Sequence, residues 1–308
     1  MIKKILKKRW QRGIFYTITG IFLTLSLAVY FFAPYAVLKA RRRSDGATPQ
    51  VLGLAYQKLT IPAHNGVQLT GFYISAGDNA KGTVLLVHGI HAFKEYFLWS
   101  DLPKTLVENG FNVAAFDNRG HGESGDAYIS YGQNEREDIK HLVTYIDSVN
   151  REKPLIIWGH SLGASIAINS LAVDKRIDMG ILESGYYDLN EAVNLYQGHW
   201  FGLRWRWLSD WILNRAAAIG EFDVEGVQPY LAARKVNQPV WVGHGEQDNR
   251  IPVSHATVIY NELASGKKQL YKIPNARHVN VWKRAGDEYQ RALLGFILNN
   301  IEQTTAAK

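Results

Sequence analysis

Short apolar runs alternate with stretches in which apolar positions recur every three or four residues, beginning near residue 56. Tyr56 to Pro62 and Val67 to Ser75 read as two strands joined through Asn65-Gly66, a pair suited to a tight hairpin turn. Six further runs, Thr83 to His88, Asn112 to Asp117, Leu155 to Trp158, Met179 to Glu183, Pro239 to His244 and Gln269 to Ile273, suit parallel strands buried on both faces. Helices are predicted at 98–109, 134–149, 162–173, 253–264 and 284–301. In 134–149 the apolar Ile139, Leu142, Val143 and Ile146 share one face, while Glu135, Glu137 and Asp138 favour the positive N-terminal end. A hairpin followed by strand-helix alternation predicts a mostly parallel sheet with helices on both faces. Ligands then meet the loops at the strands' carboxyl ends.

The N-terminal region has a different pattern. Gly13 to Leu38 is 26 residues without a charge, longer as a helix than the ~30 Å hydrocarbon thickness of a bilayer. A cleavable signal would have a shorter apolar region ending in a small-x-small site, which Ser26-Leu27-Ala28 matches weakly, so an uncleaved anchor is favoured. Pro34 lies near the far end, and Tyr30 and Tyr35 suit an interface. Six Lys or Arg precede the span and four follow it. That asymmetry predicts a single-pass protein with a cytoplasmic N-terminus and the remaining chain outside, periplasmic or extracellular. The expected division is a basic flank and anchor over 1–43, then one domain over 44–308 that begins with a short polar linker, 44–50.

Charge changes the picture only at this end. The net charge is +7, yet residues 1–43 hold ten cations and no acid, leaving a body with 25 basic and 28 acidic residues. A mildly acidic body offers no phosphate-tracking surface, so no nucleic-acid partner is expected. The absence of cysteine removes disulfides, thiolate metal sites and cysteine nucleophiles. His88 and His91 alone make a poor metal site, and neither a metal nor a cofactor is expected.

Gly159-His160-Ser161-Leu162-Gly163 lies between an apolar run and a helix-like stretch. A serine on such a strand-to-helix turn projects its Oγ over the sheet, and small residues on either side let the backbone fold tightly. The helix start turns free N–H groups toward the same point, making Leu162 N–H a candidate oxyanion donor. His88-Gly89-Ile90-His91 follows another strand-like run, where Ile90 N–H is the candidate second donor. A serine nucleophile needs a base, and the base needs a carboxylate. His278, in a polar loop after the last predicted strand, is the best-placed histidine. His88, His121 and His160 fall in glycine-rich turns, and His141, His244 and His255 on predicted elements. Asp248, just beyond the Pro239 to His244 strand, is the preferred acid. Glu183 is its rival, and Glu246 reads as solvated.

These features resemble the α/β-hydrolase superfamily, in particular bacterial monoglyceride lipase, serine aminopeptidase-like and Bem46-like hydrolases. The resemblance covers about residues 56 to 301. It includes His88-Gly89, the turn Asp117-Asn-Arg-Gly-His-Gly-Glu-Ser124, the elbow at Ser161, Gly245-Glu-Gln-Asp248 with Ile251-Pro252, and His278. It implies Ser161 as nucleophile, Asp248 as orienting acid, His278 as base, Ile90 and Leu162 as the oxyanion hole, and 117–124 as an architectural turn. Two departures are Ala164, where many relatives have glycine, and Val279-Asn280 after the histidine. About 55 residues separate the Glu183 and Pro239 strands, long for a connection, and similar hydrolases insert a lid there, here about 185–235. Phe201, Trp205, Leu208 and Ile212 form an apolar stripe with Trp207 and Trp211 off it. Half the weight goes to an ordinary packed helix, half to a lid in which Trp200, Trp205, Trp207 and Trp211 meet substrate or bilayer.

The expected architecture is therefore an α/β-hydrolase fold: a mostly parallel sheet with an antiparallel N-terminal hairpin, helices on both faces, a small helical lid and one preceding transmembrane helix. The expected activity is hydrolysis of carboxylic esters, of the esterase or lipase kind, through an acyl-enzyme. The alternatives are a peptidase or amidase of the same fold and a non-catalytic membrane-anchored binding protein.

Overall fold

The computed structural model describes residues 2–150, 153–279 and 281–306, with side chains for 9–150, 153–279 and 281–301. Eight strands form one sheet: β1 (Gln57–Pro62), β2 (Gln68–Ile74), β3 (Gly82–Val87), β4 (Phe111–Phe116), β5 (Leu155–His160), β6 (Met179–Glu183), β7 (Val240–Gly245) and β8 (Lys268–Ile273). Their order is β1-β2-β4-β3-β5-β6-β7-β8. β2 is antiparallel to β1 and β4, and the remaining pairs are parallel. Asn65 and Gly66 take the left-handed conformation, φ 56° and 76°, that reverses the chain between β1 and β2. β3 lies between β4 and β5, so the strand order reverses at its end and opens a crevice between the loops that follow β3 and β5.

The helices are α1 (Ile2–Leu38), α2 (Leu102–Glu108), α3 (Gln133–Val149), α4 (Leu162–Val173), α5 (Leu189–Phe201), α6 (Arg206–Gly220), α7 (Pro229–Ala233), α8 (Ser254–Glu262) and α9 (Val281–Ala306). Strand alternation sends Leu85, Ile157 and Val242 into an apolar layer with α3 and α4. Val84, Ile156, Trp158 and Trp241 face a second layer with α2 and α9. α4 is buried around its circumference, as its nearly continuous apolar sequence requires.

Three boundaries differ from those read in the sequence. The predicted helix at 98–109 divides into a 3-10 turn, Lys94–Trp99, and α2, because Pro103 is tolerated only in a first turn and sets the helix start. α9 is kinked at Gly286, whose backbone is not helical. The segment expected as a polar linker is fastened to the body: Ser44 Oγ donates to Glu95 Oε1 at 2.7 Å, and Trp99 Nε1 donates to Asp45 Oδ2 at 2.7 Å. Arg42 donates to the carbonyls of Gly122 and Ser124.

The 117–124 turn is held from below. Lys94 is fully buried, and its ammonium donates to Glu95, Asp117 and Glu123 at 3.0, 2.9 and 2.7 Å. Burial works against that charge, yet the three carboxylates outweigh it and hold the pKa above its ordinary value. Arg119 grips Asp138 of α3 through two bonds, 2.6 and 2.7 Å.

Candidate active site

Ser161 sits between β5 and α4 with φ 57° and ψ −118°, a conformation that costs a non-glycine residue energy and is held by its surroundings. Its N–H donates to the Glu183 carbonyl at 2.8 Å, tying the turn to β6. The flanking glycines are required by contact: a Cβ on Gly159 would lie 2.1 Å from the Gly163 oxygen, and one on Gly163 would lie 2.0 Å from the Val87 oxygen. Gly163 thus lets α4 start directly against the end of β3. The post-β3 loop also touches the serine, since a Cβ on Gly89 would lie 3.1 Å from Ser161 Cβ. Ile90 and Leu162 border the same cavity as Ser161. Leu162 N–H opens a helix and has no acceptor within it.

The β7–β8 pairing brings the other two groups in. Beyond Gly245↔Ile273, Glu246 N–H donates to the Ile273 carbonyl at 3.0 Å and Gln247 N–H to the Ala276 carbonyl at 3.0 Å, so the loops carrying Asp248 and His278 run side by side. His278 Nδ1 donates to Asp248 Oδ2 at 2.6 Å. Its Nε2 therefore accepts from Ser161 Oγ, 2.9 Å away. All three residues are buried. Asp248 Oδ1 accepts from the N–H groups of Arg250 and Ile251, each at 2.9 Å, and Oδ2 lies 3.2 Å from His244 Nε2. Burial alone would raise the pKa of this carboxyl. Hydrogen bonds from His244 and His278 reverse the effect and hold it far below the carboxylate range, so Asp248 is ionised.

Glu183, the rival acid, faces elsewhere. Tyr289 Oη donates to its Oε1 at 2.6 Å, and burial pushes its pKa up to about 7. Of the glycine-turn histidines, His160 matters here: its Nε2 donates to the His278 carbonyl at 2.7 Å, and burial lowers its pKa to about 3, which keeps it neutral. His88 accepts from Asn118 N–H at 3.0 Å and bonds the Gly89 carbonyl at 2.8 Å, bracing the post-β3 loop. Sequence context places His244 on a strand. It is on that strand, yet its ring reaches the Asp248 carboxylate, a contact visible only once the turn is built.

Above Ser161 lies a mostly apolar cavity of about 220 Å³. Leu189, Ala192, Val193 and Tyr196 of α5 and Ile212 of α6 line it, as does Trp200. Of the four tryptophans expected to meet substrate or bilayer, Trp205, Trp207 and Trp211 do not border this cavity. Gly202 takes φ 70° and ends α5, so the anticipated stripe through Phe201 and Ile212 is split between two helices. Ala164 is likewise outside the cavity lining and points toward Gly185. Val279 is half exposed and its carbonyl accepts from Tyr96 Oη at 3.0 Å; Asn280 lies outside the described residues. No sequence motif points to Tyr196, whose phenol is close enough to interact with Ser161 and Arg250, or to Gln197, whose buried Oε1 has no partner among the described residues. Among the described residues, no group of three or more His, Asp or Glu side chains could hold a metal.

A family model described as serine aminopeptidase, S33, matches residues 78–229. The fold superposes on the Pyrococcus furiosus esterase Pf2001 with a TM-score of 0.73 at 23% identity, covering 86% of this chain and 98% of the esterase. The chain is a member of the α/β-hydrolase superfamily. Its relatives include the uncharacterized protein YqkD of Bacillus subtilis (strain 168), 27% identical over 80% of each chain. The lysophosphatidylserine lipase ABHD12 of Danio rerio is 28% identical over 64% of this hydrolase. The aligned region spans about half the length of that lipase, 51%.

Proposed function

We propose that this α/β-hydrolase is a membrane-anchored serine hydrolase that cleaves carboxylic esters through an acyl-enzyme. The observation that carries the reading is the continuous hydrogen-bonded chain Ser161–His278–Asp248, whose serine borders an apolar cavity. In the proposed mechanism Ser161 Oγ attacks the ester carbonyl while His278 Nε2 takes its proton. Asp248 holds the ring tautomer and offsets the imidazolium charge. Ile90 and Leu162 N–H groups receive the oxyanion, each donor worth roughly 3 kcal/mol in the transition state. The imidazolium then protonates the departing alcohol, leaving an acyl-serine. A water molecule, deprotonated by His278, displaces the acyl group as a carboxylic acid and restores the hydroxyl.

Cavity chemistry favours esters over peptides. Its lining carries no carboxylate, lysine or arginine among the described residues, so nothing there would pair with a peptide's terminal amine or carboxylate. Relatives described as lipase and esterase point the same way. The match to a serine aminopeptidase family keeps peptide hydrolysis as a second reading. Arg9–Leu38 is a helix long and apolar enough to cross a membrane. We assign it as an uncleaved anchor, with the N-terminus cytoplasmic and the hydrolase domain outside. Residues 185–235, holding α5, α6 and α7, are assigned as the lid.

The test is a panel of p-nitrophenyl esters of increasing chain length beside aminoacyl and peptidyl p-nitroanilides, using the full chain in detergent. Ester turnover that rises with chain length and exceeds anilide turnover is expected. Preferential anilide turnover would transfer the assignment to a peptidase, and no turnover of either would overturn the enzymatic reading.

A further inference from the structure

The cavity over Ser161 has one wall that does not come from the hydrolase body. Ala33, Ala36 and Val37, from the last turns of α1, line it beside α6, against which α1 packs. Residues 33, 36 and 37 share one helical face, and two of them are alanine, so the helix approaches the site while leaving room beside it. α1 is the same helix that is long and apolar enough to span a bilayer.

This wall is fixed to the body. Tyr131 Oη donates to the Val37 carbonyl at 2.7 Å, and Ile129 N–H donates to the Leu38 carbonyl at 2.9 Å. The Arg215 guanidinium of α6 stacks 3.9 Å from the Tyr30 ring centre, and Arg41 N–H donates to His91 Nδ1 at 3.1 Å. His91 follows Ile90 in the proposed oxyanion loop and lies parallel to Trp200 of α5, ring centres 6.4 Å apart. One set of contacts therefore joins the span, the oxyanion loop and the lid.

The height is also appropriate. Arg9–Leu38 holds 30 residues, about 45 Å of helix, about 15 Å more than the hydrocarbon layer. If the surplus projects on the body's side, Ala33 to Val37 stand at the interface. The end of α5 and the turn into α6 expose Trp200, Phe201, Leu203, Trp205 and Trp207, interleaved with Arg204 and Arg206, a composition that partitions into the headgroup region.

We propose that the last turns of α1 form the acyl-binding wall of the site, and that a long-chain ester enters sideways from the bilayer, its hydrocarbon passing between α1 and α5. This inference rests on the ester-hydrolase reading and deepens it: the substrate is a membrane-resident amphiphile, and the anchor is part of its binding site.

The experiment compares Ala36→Trp with wild type as full-length protein in dodecyl maltoside, reading the ratio of kcat/KM for p-nitrophenyl decanoate to that for p-nitrophenyl acetate. Filling the wall should lower this ratio by about tenfold or more. Leu25→Trp, on the exposed part of α1 and away from the cavity, should keep the wild-type ratio. Fluorophosphonate labelling of each sample reports an intact nucleophile. A labelled Ala36→Trp protein with a wild-type ratio overturns the proposal. If that variant fails to label while wild type labels, Ala33→Leu, a smaller intrusion at the same wall, decides in its place by the same ratio. Failure of wild type to label or turn over either ester would refute the hydrolase reading, a result distinct from an unchanged ratio.

Discussion

Asp248 receives four hydrogen-bonding contacts, from His278, His244 and two backbone N–H groups, and these fix its charge for its proposed role of orienting the His278 ring. Asp248→Asn should preserve the packing but favour the wrong imidazole tautomer, lowering kcat by about 10⁴-fold. Ester turnover within tenfold of wild type would remove Asp248 from its proposed role. Glu183 gives a separate, pH-dependent prediction. Burial raises its pKa from 4.5 to about 7, so the folded state holds this proton more tightly than the unfolded chain. The resulting stabilisation is full below pH 4.5 and is lost as pH rises through about 7, amounting to about 3 kcal/mol. Wild type should therefore lose stability relative to Glu183→Gln across that window in urea melts. A difference between the two that does not vary with pH would contradict the assignment. Ser161, His278 and Asp248 were legible because each lies just beyond a strand, where side chains converge. Tyr196 and Gln197 were not, since a helix inserted in a long connection has no register with the sheet until it packs.

Among the elements, the β3 loop and the β5–α4 elbow meet because β3 lies between β4 and β5. Gly163 is the point of closest approach. Gly163→Ala would place a methyl 2.0 Å from the Val87 oxygen, against the backbone of Val87 and His88. We expect a loss of more than ~3 kcal/mol, read as a lower thermal midpoint, together with weakened ester turnover as the elbow shifts. A variant as stable and active as wild type would show that α4 can move away from β3. Strand positions were legible because buried parallel strands are short continuous apolar runs, distinct from everything around them. The α5–α6 region was less so: its tryptophans suggested one helix, whereas Gly202 ends α5 and divides them, with Trp200 at the cavity and Trp207 toward solvent. Apolar periodicity alone cannot say on which side of a break the next residue falls.

On the scale of the molecule, α1, the 38–50 segment and the lid are one continuous support for the site. The polar composition of 44–50 suggested a free tether, but composition does not reveal that Ser44 and Asp45 find partners on the body. Arg42, read from sequence only as part of a basic flank, bonds the carbonyls of the 117–124 turn. With α1 as the proposed anchor, these contacts would fix the cavity relative to the surface that α1 enters. That arrangement serves catalysis only if Ser161 is an activated nucleophile, and the most direct test is fluorophosphonate labelling of the full-length protein with mass-spectrometric location of the adduct. The account predicts a single adduct on Ser161 that forms in wild type and is reduced by several orders of magnitude in rate in His278→Ala. An adduct elsewhere, or labelling of Ser161 that proceeds equally fast without the histidine, would contradict it.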